Sequence, residues 1–185
     1  MSGISSSAAA APGGSPFSFP NPVNDVAART IAGGVVLLSV LAIALDLEWL
    51  VVLIAIGFVL RVTFGPKASP LGQLATRVIV PRLGIPPRPT PGPPKRFAQA
   101  IGVAFSVVAA VLLLAFDAGA GWFVLGALAL AAFLESALGL CLGCKAFAIL
   151  IRLGVIPEEV CEACNDIWSR PGVTRPGSDA AAGSA

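Results

Sequence analysis

Four long runs of apolar residues, divided by short polar stretches, dominate the chain. The runs cover residues 26–45, 49–64, 97–116 and 122–142. A helix needs about 20 apolar residues, with a range of about 17 to 25, to cross a hydrocarbon core about 30 Å thick. The pattern therefore predicts four membrane-spanning helices. The second run is the shortest, and Arg61 near its end is expected to extend to the lipid headgroups.

The turns between the runs determine the predicted topology. Residues 46–48 join the first two runs, and residues 117–121 join the last two. Turns this short connect antiparallel neighbours. The predicted fold is therefore all-α, a four-helix transmembrane bundle made of two antiparallel hairpins. Small residues at every fourth position of the third span predict a close contact between helices. These residues are Ala98, Gly102, Ser106 and Ala110.

The segment between the hairpins, residues 65–96, is a basic, proline-rich loop. Residues 71–79 place their apolar side chains on one helical face, which predicts an interfacial amphipathic helix. Seven of the fourteen residues from 81 to 94 are proline. This stretch is predicted to form an extended, non-helical connector between the hairpins.

Charge is distributed unevenly between the two sides of the predicted bundle. From the end of the second span, where Arg61 lies, to the start of the third, the chain contains seven basic and no acidic residues. They are Arg61, Lys67, Arg77, Arg82, Arg88, Lys95 and Arg96. The two short turns contain acidic residues and no basic ones. Because short cytoplasmic loops carry an excess of Lys and Arg, we expect both termini, the basic segment and all four cysteines to be cytoplasmic.

The composition supports a membrane protein and excludes several kinds of enzyme. Hydrophobic residues make up 56% of the chain and charged residues 12%, with a mean hydropathy of +0.89, whereas a soluble domain is about a quarter charged. The chain has no histidine, which excludes hydrolytic triads and histidine-bound metal catalysis. The net charge of +2 is too small to indicate a nucleic-acid partner. The lipid bilayer is therefore the expected surrounding.

Composition shifts divide the chain into four parts. Residues 1–22 lack a positive leading region and a continuous apolar run, so they are predicted to be a disordered lead rather than a cleaved signal peptide. Residues 23–156 form the predicted four-span membrane domain. Residues 157–168 begin with a proline that suits the first position of a helix, and they are predicted to form a short cytoplasmic helical extension. Residues 169–185 are predicted to be a disordered tail.

All four cysteines fall in two Cys-x-x-Cys pairs separated by sixteen residues. The first pair is Cys141 and Cys144, and the second is Cys161 and Cys164. This spacing matches tetrathiolate zinc sites. The four thiolates are therefore candidate ligands for zinc or, alternatively, for an iron–sulfur cluster.

Geometry weakens the hypothesis that one metal joins both pairs. Residues 145–156 predict a helix about 18 Å long. If the next helix doubles back, Cys161 recovers about 6 Å of that length and the pairs lie about 12 Å apart. That separation is too large for Zn–S bonds of about 2.3 Å. A break of the first helix at Gly154 would shorten the distance between the two cysteine pairs.

The first pair is the better candidate for thiol chemistry. Lys145, Arg152 and the basic segment lie near it in the chain, whereas acidic residues flank the second pair. Positive charge favours the thiolate, which is the attacking species. A helix beginning at Cys144 would strengthen this effect, and a fourth span continuing through Cys144 would remove it. Cys141 and Cys144 are thus the candidate redox pair, in which one thiol attacks and its neighbour resolves.

Glu135 lies inside the predicted fourth span, and an ionisable residue in that position is a candidate functional residue. In a continuous helix it lies about 240° around the axis from Cys141 and about 180° from Cys144. It is therefore expected to face away from the thiols, unless Gly139 or Gly143 bends the backbone.

Two interpretations of the Glu135 carboxyl are open. In the first it is buried, either neutral or paired with Arg61 or Lys67. In the second it belongs to a proton relay.

Four segments resemble an uncharacterised family of bacterial four-helix membrane proteins, the domain of unknown function DUF4395. They are "NPVNDVAARTIAG" at the first span, "RVTFGPKASPLGQL" after the second, "PPKRFAQAIG" into the third and "ALGLCLGCKAF" after the fourth. The resemblance covers residues 20–150 and implies a multi-pass protein of the bacterial cytoplasmic (inner) membrane. The second cysteine pair resembles an extension of only some members, so the family implies no four-cysteine site.

The favoured hypothesis is a membrane protein that uses Cys141 and Cys144 for thiol–disulfide exchange or sulfur relay. The second pair, Cys161 and Cys164, would then be an acceptor or resolving pair. The resemblance suggests a soluble thioredoxin-like or sulfurtransferase-like partner, or a larger membrane complex. An adaptor that binds zinc or an iron–sulfur cluster is the alternative, and a small-solute transporter is a third class, so enzymatic activity is left open.

Overall fold

The computed structural model describes residues 23–86, 88–157 and 160. The described chain is all-α apart from one short pairing of two strands. Its strands are β1 (Val23–Asn24) and β2 (Pro89–Thr90). Its α-helices are α1 (Asp25–Ala44), α2 (Glu48–Phe64), α3 (Pro70–Leu74), α4 (Val80–Leu83), α5 (Gly92–Phe116), α6 (Ala120–Leu138) and α7 (Leu142–Arg152). The predicted lead at 1–22 and tail at 169–185 lie outside the described residues, as does most of the predicted extension at 157–168.

The first hairpin forms as the apolar pattern predicts. Asn24 begins α1 as its N-cap, and its side-chain oxygen accepts a hydrogen bond from the backbone N–H of Val26 at 3.0 Å. Asp46 adopts a left-handed conformation with φ of 53° in the turn. The backbone N–H of Leu47 then donates to the carbonyl of Ala42. These bonds satisfy backbone groups at both ends of α1 and reverse the chain into α2.

The segment between the hairpins is more helical than its prolines suggested. A 3-10 turn (Pro66–Ala68), α3, a π-helical turn (Ala75–Ile79) and α4 follow one another over residues 66–83. This confirms a helix at the predicted interfacial position, but Ala75 is fully buried. A Cβ on Gly34 of α1 would overlap the Leu71 side chain. The segment therefore packs against α1, while its position at the membrane interface stays a prediction.

The predicted extended connector at 81–94 is correct only in its middle. Pro81 lies within the first turn of α4, and Pro93 and Pro94 lie in the first turn of α5. Proline is tolerated there because the first N–H groups of a helix have no intrahelical acceptor. As a result α5 starts five residues before the predicted boundary at 97 and carries Lys95 inside its first turns.

The remaining connector is attached to the start of α1. β1 and β2 pair antiparallel, with Val23 opposite Thr90 and Asn24 opposite Pro89. The backbone N–H of Asp25 donates to the carbonyl of Arg88 at 2.8 Å. The entrances of the two hairpins are therefore held side by side.

Contacts between the hairpins dominate the bundle. α1 packs mainly against α6, and α2 packs mainly against α5, while α5 also contacts α6 and α7. The core between them contains Val35, Val51, Leu113 and Leu125. The hairpins therefore interlock, with each helix packing more extensively on the other hairpin than α1 and α2 pack on each other.

Within the described part of the chain, three helices are long and apolar enough to cross a membrane: α1, α5 and α6. The length and the apolar composition of these helices support a membrane protein. α2 has 17 residues, which corresponds to about 25 Å at 1.5 Å per residue and is shorter than a hydrocarbon core of about 30 Å. The predicted all-α fold is thus confirmed, while the four-helix transmembrane bundle and the number of membrane crossings stay predictions.

The fourth apolar run does not continue as one helix to residue 142. α6 ends at Leu138, and Gly139 adopts the left-handed conformation with φ of 69° that glycine favours at a helix end. A separate amphipathic helix, α7, then begins and buries Phe147 and Ile151. The ring of Phe147 packs against that of Phe97 in α5, with centroids 5.5 Å apart. The run therefore contains a long apolar helix and the start of a second helix that returns against α5.

The small residues of α5 do form a helix contact. Gly102 and Ser106 are buried, and a Cβ on Gly102 would overlap the ring of Phe58 in α2. Toward the start of α5, a Cβ on Gly143 of α7 would overlap Ala98. The small residues of α5 thus allow α2 to pack closely at Gly102 and α7 to pack closely at Ala98.

Replacing Gly102 by alanine is expected to destabilise the protein. The added methyl group forces Phe58 to move in a packed core, and overpacking of this kind costs about 1 to 3 kcal/mol. The matched control is Gly126→Ala in α6, where the added methyl meets no atom within 4 Å and where reduced freedom of the unfolded chain predicts a gain of about 0.4 to 1 kcal/mol. Unfolding in mixed micelles, followed by tryptophan fluorescence, compares the two. Equal midpoints for both variants would contradict the packing described.

Candidate functional site

A cavity of about 320 Å³, called here the central cavity, lies between α1, α2, α5, α6 and α7. Most of its lining is apolar and includes several alanines. Five polar residues, the polar cluster, also line it: Arg61, Lys95, Gln99, Glu135 and Cys141. Apart from Cys141, they lie where α5 begins and where α2 and α6 end, so the cluster is on the side of the bundle that carries α7.

Lys95 is the centre of the charge network. Its Nζ atom lies 2.7 Å from Oε1 of Glu135 in α6 and 2.9 Å from Oδ1 of Asp25 in α1. The lysine side chain is 6% exposed, and the two carboxylates are mostly buried. A buried cation is tolerated only when its charge is matched. The two ion pairs therefore connect α1, α5 and α6 at one point.

Arg61 does not extend to the surface as expected. It is 2% exposed, its Nε donates to Oε1 of Gln99 at 3.1 Å, and its guanidinium lies 4.4 Å from the centre of the Phe58 ring. A hydrogen bond together with a cation–π contact compensates for part of the lost hydration. The sequence gives no indication of this orientation, because Gln99 and Phe58 become neighbours only through the packing of α2 on α5.

Glu135 lines the central cavity together with Cys141, rather than facing away from it. Gly139 supplies the bend that this arrangement requires: it ends α6, and the chain turns back to place Cys141 on the same wall. The carboxylate is paired, as one interpretation proposed. Its ion-pair partner is Lys95 rather than Lys67, and the charge of Arg61 also interacts with it.

The first cysteine pair occupies the start of α7. Cys141 is the N-cap, and its Sγ accepts a hydrogen bond from the backbone N–H of Cys144 at 3.3 Å. The Sγ atom of Cys144 lies 2.6 Å from that of Cys141, and both cysteines are free. A helix therefore begins at the pair, which is the arrangement that strengthens thiolate formation.

The two thiols differ in acidity and in exposure. The hydrogen bond from Cys144, with help from the Lys95 charge, lowers the pKa of Cys141 despite burial and the nearby Glu135. The same hydrogen bond, together with burial, raises the pKa of Cys144. Cys141 is buried against the cavity, whereas Cys144 is partly exposed. Cys141 is thus the more acidic thiol of the pair, and Cys144 is the member more accessible from outside.

The hypothesis of a four-cysteine metal site falls partly outside the described residues, because Cys161 and Cys164 are not among them. Within the described ranges no group of three or more cysteine or carboxylate side chains is arranged to hold a metal ion. The pair at Cys141 and Cys144 would supply two of the four thiolates that such a site needs.

Lys95, Asp25 and Gln99 are site residues that sequence reasoning missed. Lys95 was counted only as one of the charges of the basic segment. A signal was present, since Pro93 and Pro94 suit the first turn of a helix and place Lys95 inside α5 rather than before it. Asp25 follows the N-cap Asn24 in the first turn of α1, and nothing local in the sequence indicates its pairing with Lys95.

The fold and the central cavity together define a class: an all-α protein with membrane-type helices and a dithiol beside a buried ion-pair network. Residues 23–152 match the family described as Domain of unknown function (DUF4395). The match covers more than half of the 185 residues, and the chain belongs to this family. No curated protein and no solved structure matches the chain.

Replacing Lys95 by methionine is expected to destabilise the fold by about 3 to 5 kcal/mol, because it leaves two carboxylates without their cation in a buried place. Lys67→Met is the matched control; this lysine is exposed and its loss should change stability by less than about 0.5 kcal/mol. Adding Glu135→Gln to the Lys95 variant removes one unpaired charge and should restore part of the loss. Unfolding in mixed micelles measures the stability of the single variants, Glu135→Gln among them, and of the double variant. If the effects of Lys95→Met and Glu135→Gln simply add, the two side chains are not directly paired.

The alkylation of Cys141 is expected to have its midpoint below the usual cysteine value of about pH 8.5. Its lowered pKa keeps the thiolate present at a pH where an ordinary thiol is protonated. The measurement is the rate of iodoacetamide labelling against pH, mapped by mass spectrometry in a Cys161→Ser, Cys164→Ser chain. Cys144→Ala removes the hydrogen-bond donor and should raise the midpoint, whereas Cys144→Ser keeps a donor and should raise it less. Identical midpoints in the chain with Cys144 and in the two Cys144 variants would refute the hydrogen bond from Cys144 as the cause of the lowered pKa of Cys141.

Proposed function

We propose that the protein is a membrane thiol–disulfide exchange protein whose dithiol, Cys141 and Cys144, reacts with a soluble dithiol partner of the thioredoxin-like class. The single observation that carries this proposal is the contact of two free Sγ atoms, 2.6 Å apart, at the start of a helix. A pair in contact can close and open a disulfide with little movement of the backbone. The neighbouring Lys95 charge favours the thiolate form that exchange requires.

The difference between the two cysteines predicts which sulfur the partner attacks and which sulfur leaves. When the pair is oxidised, a thiolate of the partner attacks Cys144 Sγ, the more exposed sulfur. A new disulfide then joins Cys144 to the partner, and Cys141 departs with the electron pair of the broken bond as a thiolate. A thiol of low pKa is the better leaving group. The partner's second thiolate next attacks its own bridged sulfur, which releases Cys144 as a thiolate and leaves the partner oxidised.

The proposed location is the cytoplasmic face of the membrane. It is supported by the excess of basic residues in the segment between α2 and α5, which lies on the same side of the bundle as α7. A soluble partner on that side reaches Cys144 without crossing the bilayer. The proposed exchange requires neither Cys161 nor Cys164, whose place as a second acceptor pair is a separate hypothesis.

The exchange is expected to leave a mixed disulfide on Cys144. The full chain, carrying Cys161→Ser and Cys164→Ser and oxidised beforehand, is mixed with a thioredoxin-fold protein whose resolving cysteine is replaced by serine. A non-reducing gel followed by peptide mass spectrometry should show a covalent complex joined through Cys144. Joining mainly through Cys141 would contradict the proposed roles.

Two further outcomes of that experiment separate the competing functions. Failure of the complex to form in this chain, together with about one zinc or a cluster bound to the four-cysteine chain, would favour the metal-binding adaptor. Transfer of a sulfane sulfur to Cys141 from a persulfide-loaded sulfurtransferase, without disulfide formation, would favour sulfur relay. Either result would replace thiol–disulfide exchange as the function.

A further inference from the structure

We propose that the central cavity binds a lipid-soluble p-quinone, which accepts the two electrons of the Cys141 and Cys144 dithiol. This inference rests on the proposed thiol–disulfide function and adds the acceptor that regenerates the disulfide. It is carried by the form of the cavity, by the charges around it and by the position of Cys141 on its wall.

The cavity is open toward the region that lipid would occupy. Three of its lining residues are exposed, and they come from three different helices: Phe105 in α5, Ala127 in α6 and Leu142 in α7. Each is apolar, so a ligand entering between them passes over hydrocarbon side chains. The volume of about 320 Å³ falls within the usual range of about 300 to 1,000 Å³ for small-molecule sites. A flat ring with an apolar tail left in the membrane fits such an entrance.

The charges around the cavity select a neutral ligand. Lys95 is matched by Asp25 and Glu135, and Arg61 brings the formal sum of these four groups to zero. A ligand with its own charge would upset that balance in a place shielded from water. A quinone is neutral in its oxidised form, and its two carbonyl oxygens accept hydrogen bonds.

The polar cluster provides hydrogen-bond donors for those oxygens. Arg61 carries five N–H donors, one of which is directed to Gln99. Lys95 Nζ lies between its two carboxylates at the same wall. Hydrogen bonds from cations to an oxygen strengthen as negative charge develops on it. These donors would therefore stabilise the partly reduced ring most strongly.

The reaction balances between the dithiol and the quinone. The S–H bonds of Cys141 and Cys144 are lost, an S–S bond forms between their Sγ atoms, and the pair gives up two electrons and two protons. The quinone takes up both electrons and both protons, one on each oxygen, and becomes a hydroquinone. Cys141 lines the cavity, and its Sγ lies 2.6 Å from that of Cys144, which is not a lining residue. Electrons thus pass from the partner through the exposed thiol to the thiol that faces the ligand.

The test uses the full chain with Cys161→Ser and Cys164→Ser, reduced and reconstituted in lipid vesicles. The probe is a fully substituted 1,4-benzoquinone with a decyl chain, whose ring carbons are blocked against addition of thiols. Absorbance follows quinone reduction, and alkylation with mass spectrometry counts the free thiols. We expect one quinone reduced for each two thiols lost, and we expect Cys141→Ser to abolish the reaction. A sulfonated naphthoquinone should react more slowly because of its charge.

A pair of matched variants tests the site itself. Ala131→Phe fills the cavity and should slow quinone reduction by about tenfold or more, which corresponds to about 1.4 kcal/mol or more. Ala104→Phe places the same side chain on an exposed position of α5 that does not line the cavity, and it should leave the rate unchanged. Equal rates in both variants, or faster reaction of the sulfonated quinone, would overturn the inference.

The partner reaction distinguishes this inference from the function it rests on. One outcome is that the Ala131→Phe variant still forms the mixed disulfide through Cys144, while quinone is reduced neither by this variant nor by the chain with Ala131 intact. The exchange function then stands and the quinone site is refuted. If the mixed disulfide and quinone reduction are both absent from the unaltered pair, the exchange function is refuted as well.

Discussion

The ion pairs of Lys95 are the interaction on which the rest of the structure depends. One buried ammonium group contacts Glu135 of α6 and Asp25 of α1 while belonging to α5. Each of these groups would be costly in the bundle without the others, because a buried charge is stable only when it is matched. The network therefore fixes which helices are neighbours at this side of the bundle. It also explains how a cavity there can contain charged groups.

The break between α6 and α7 converts this network into a chemical environment. If the fourth apolar run were one continuous helix, Cys141 and Glu135 would lie on different faces of it, and Cys141 would not line the cavity. The left-handed residue Gly139 instead ends α6, and Arg29 of α1 donates hydrogen bonds to the carbonyls of Ser136 and Ala137 at that end. Carbonyl groups that a continuous helix would have used internally are thereby satisfied. The dithiol can then lie beside the buried charges.

The sequence was sufficient for the features set by repeated apolar patterns. The hairpins of α1 with α2 and of α5 with α6 and the helical segment at 71–79 all follow from local patterns and spacing. The cavity does not, because it depends on contacts between residues far apart in the chain. Arg61 was expected at the surface because its partner Gln99 is 38 residues away. Glu135 was expected to face away from the thiols because the conformation of one glycine, Gly139, decides the direction of the chain.

Cys141 has two roles in the structure, since the sulfur of the dithiol is also the cap of α7. A thiolate is a stronger acceptor for the backbone N–H of Cys144 than a neutral disulfide sulfur is. The start of α7 is therefore held more firmly when the pair is reduced. By the same thermodynamic cycle, α7 stabilises the reduced form and shifts the reduction potential of the pair upward, as any feature that favours the reduced state must do. Folding of a short amphipathic helix thus makes the disulfide a stronger oxidant.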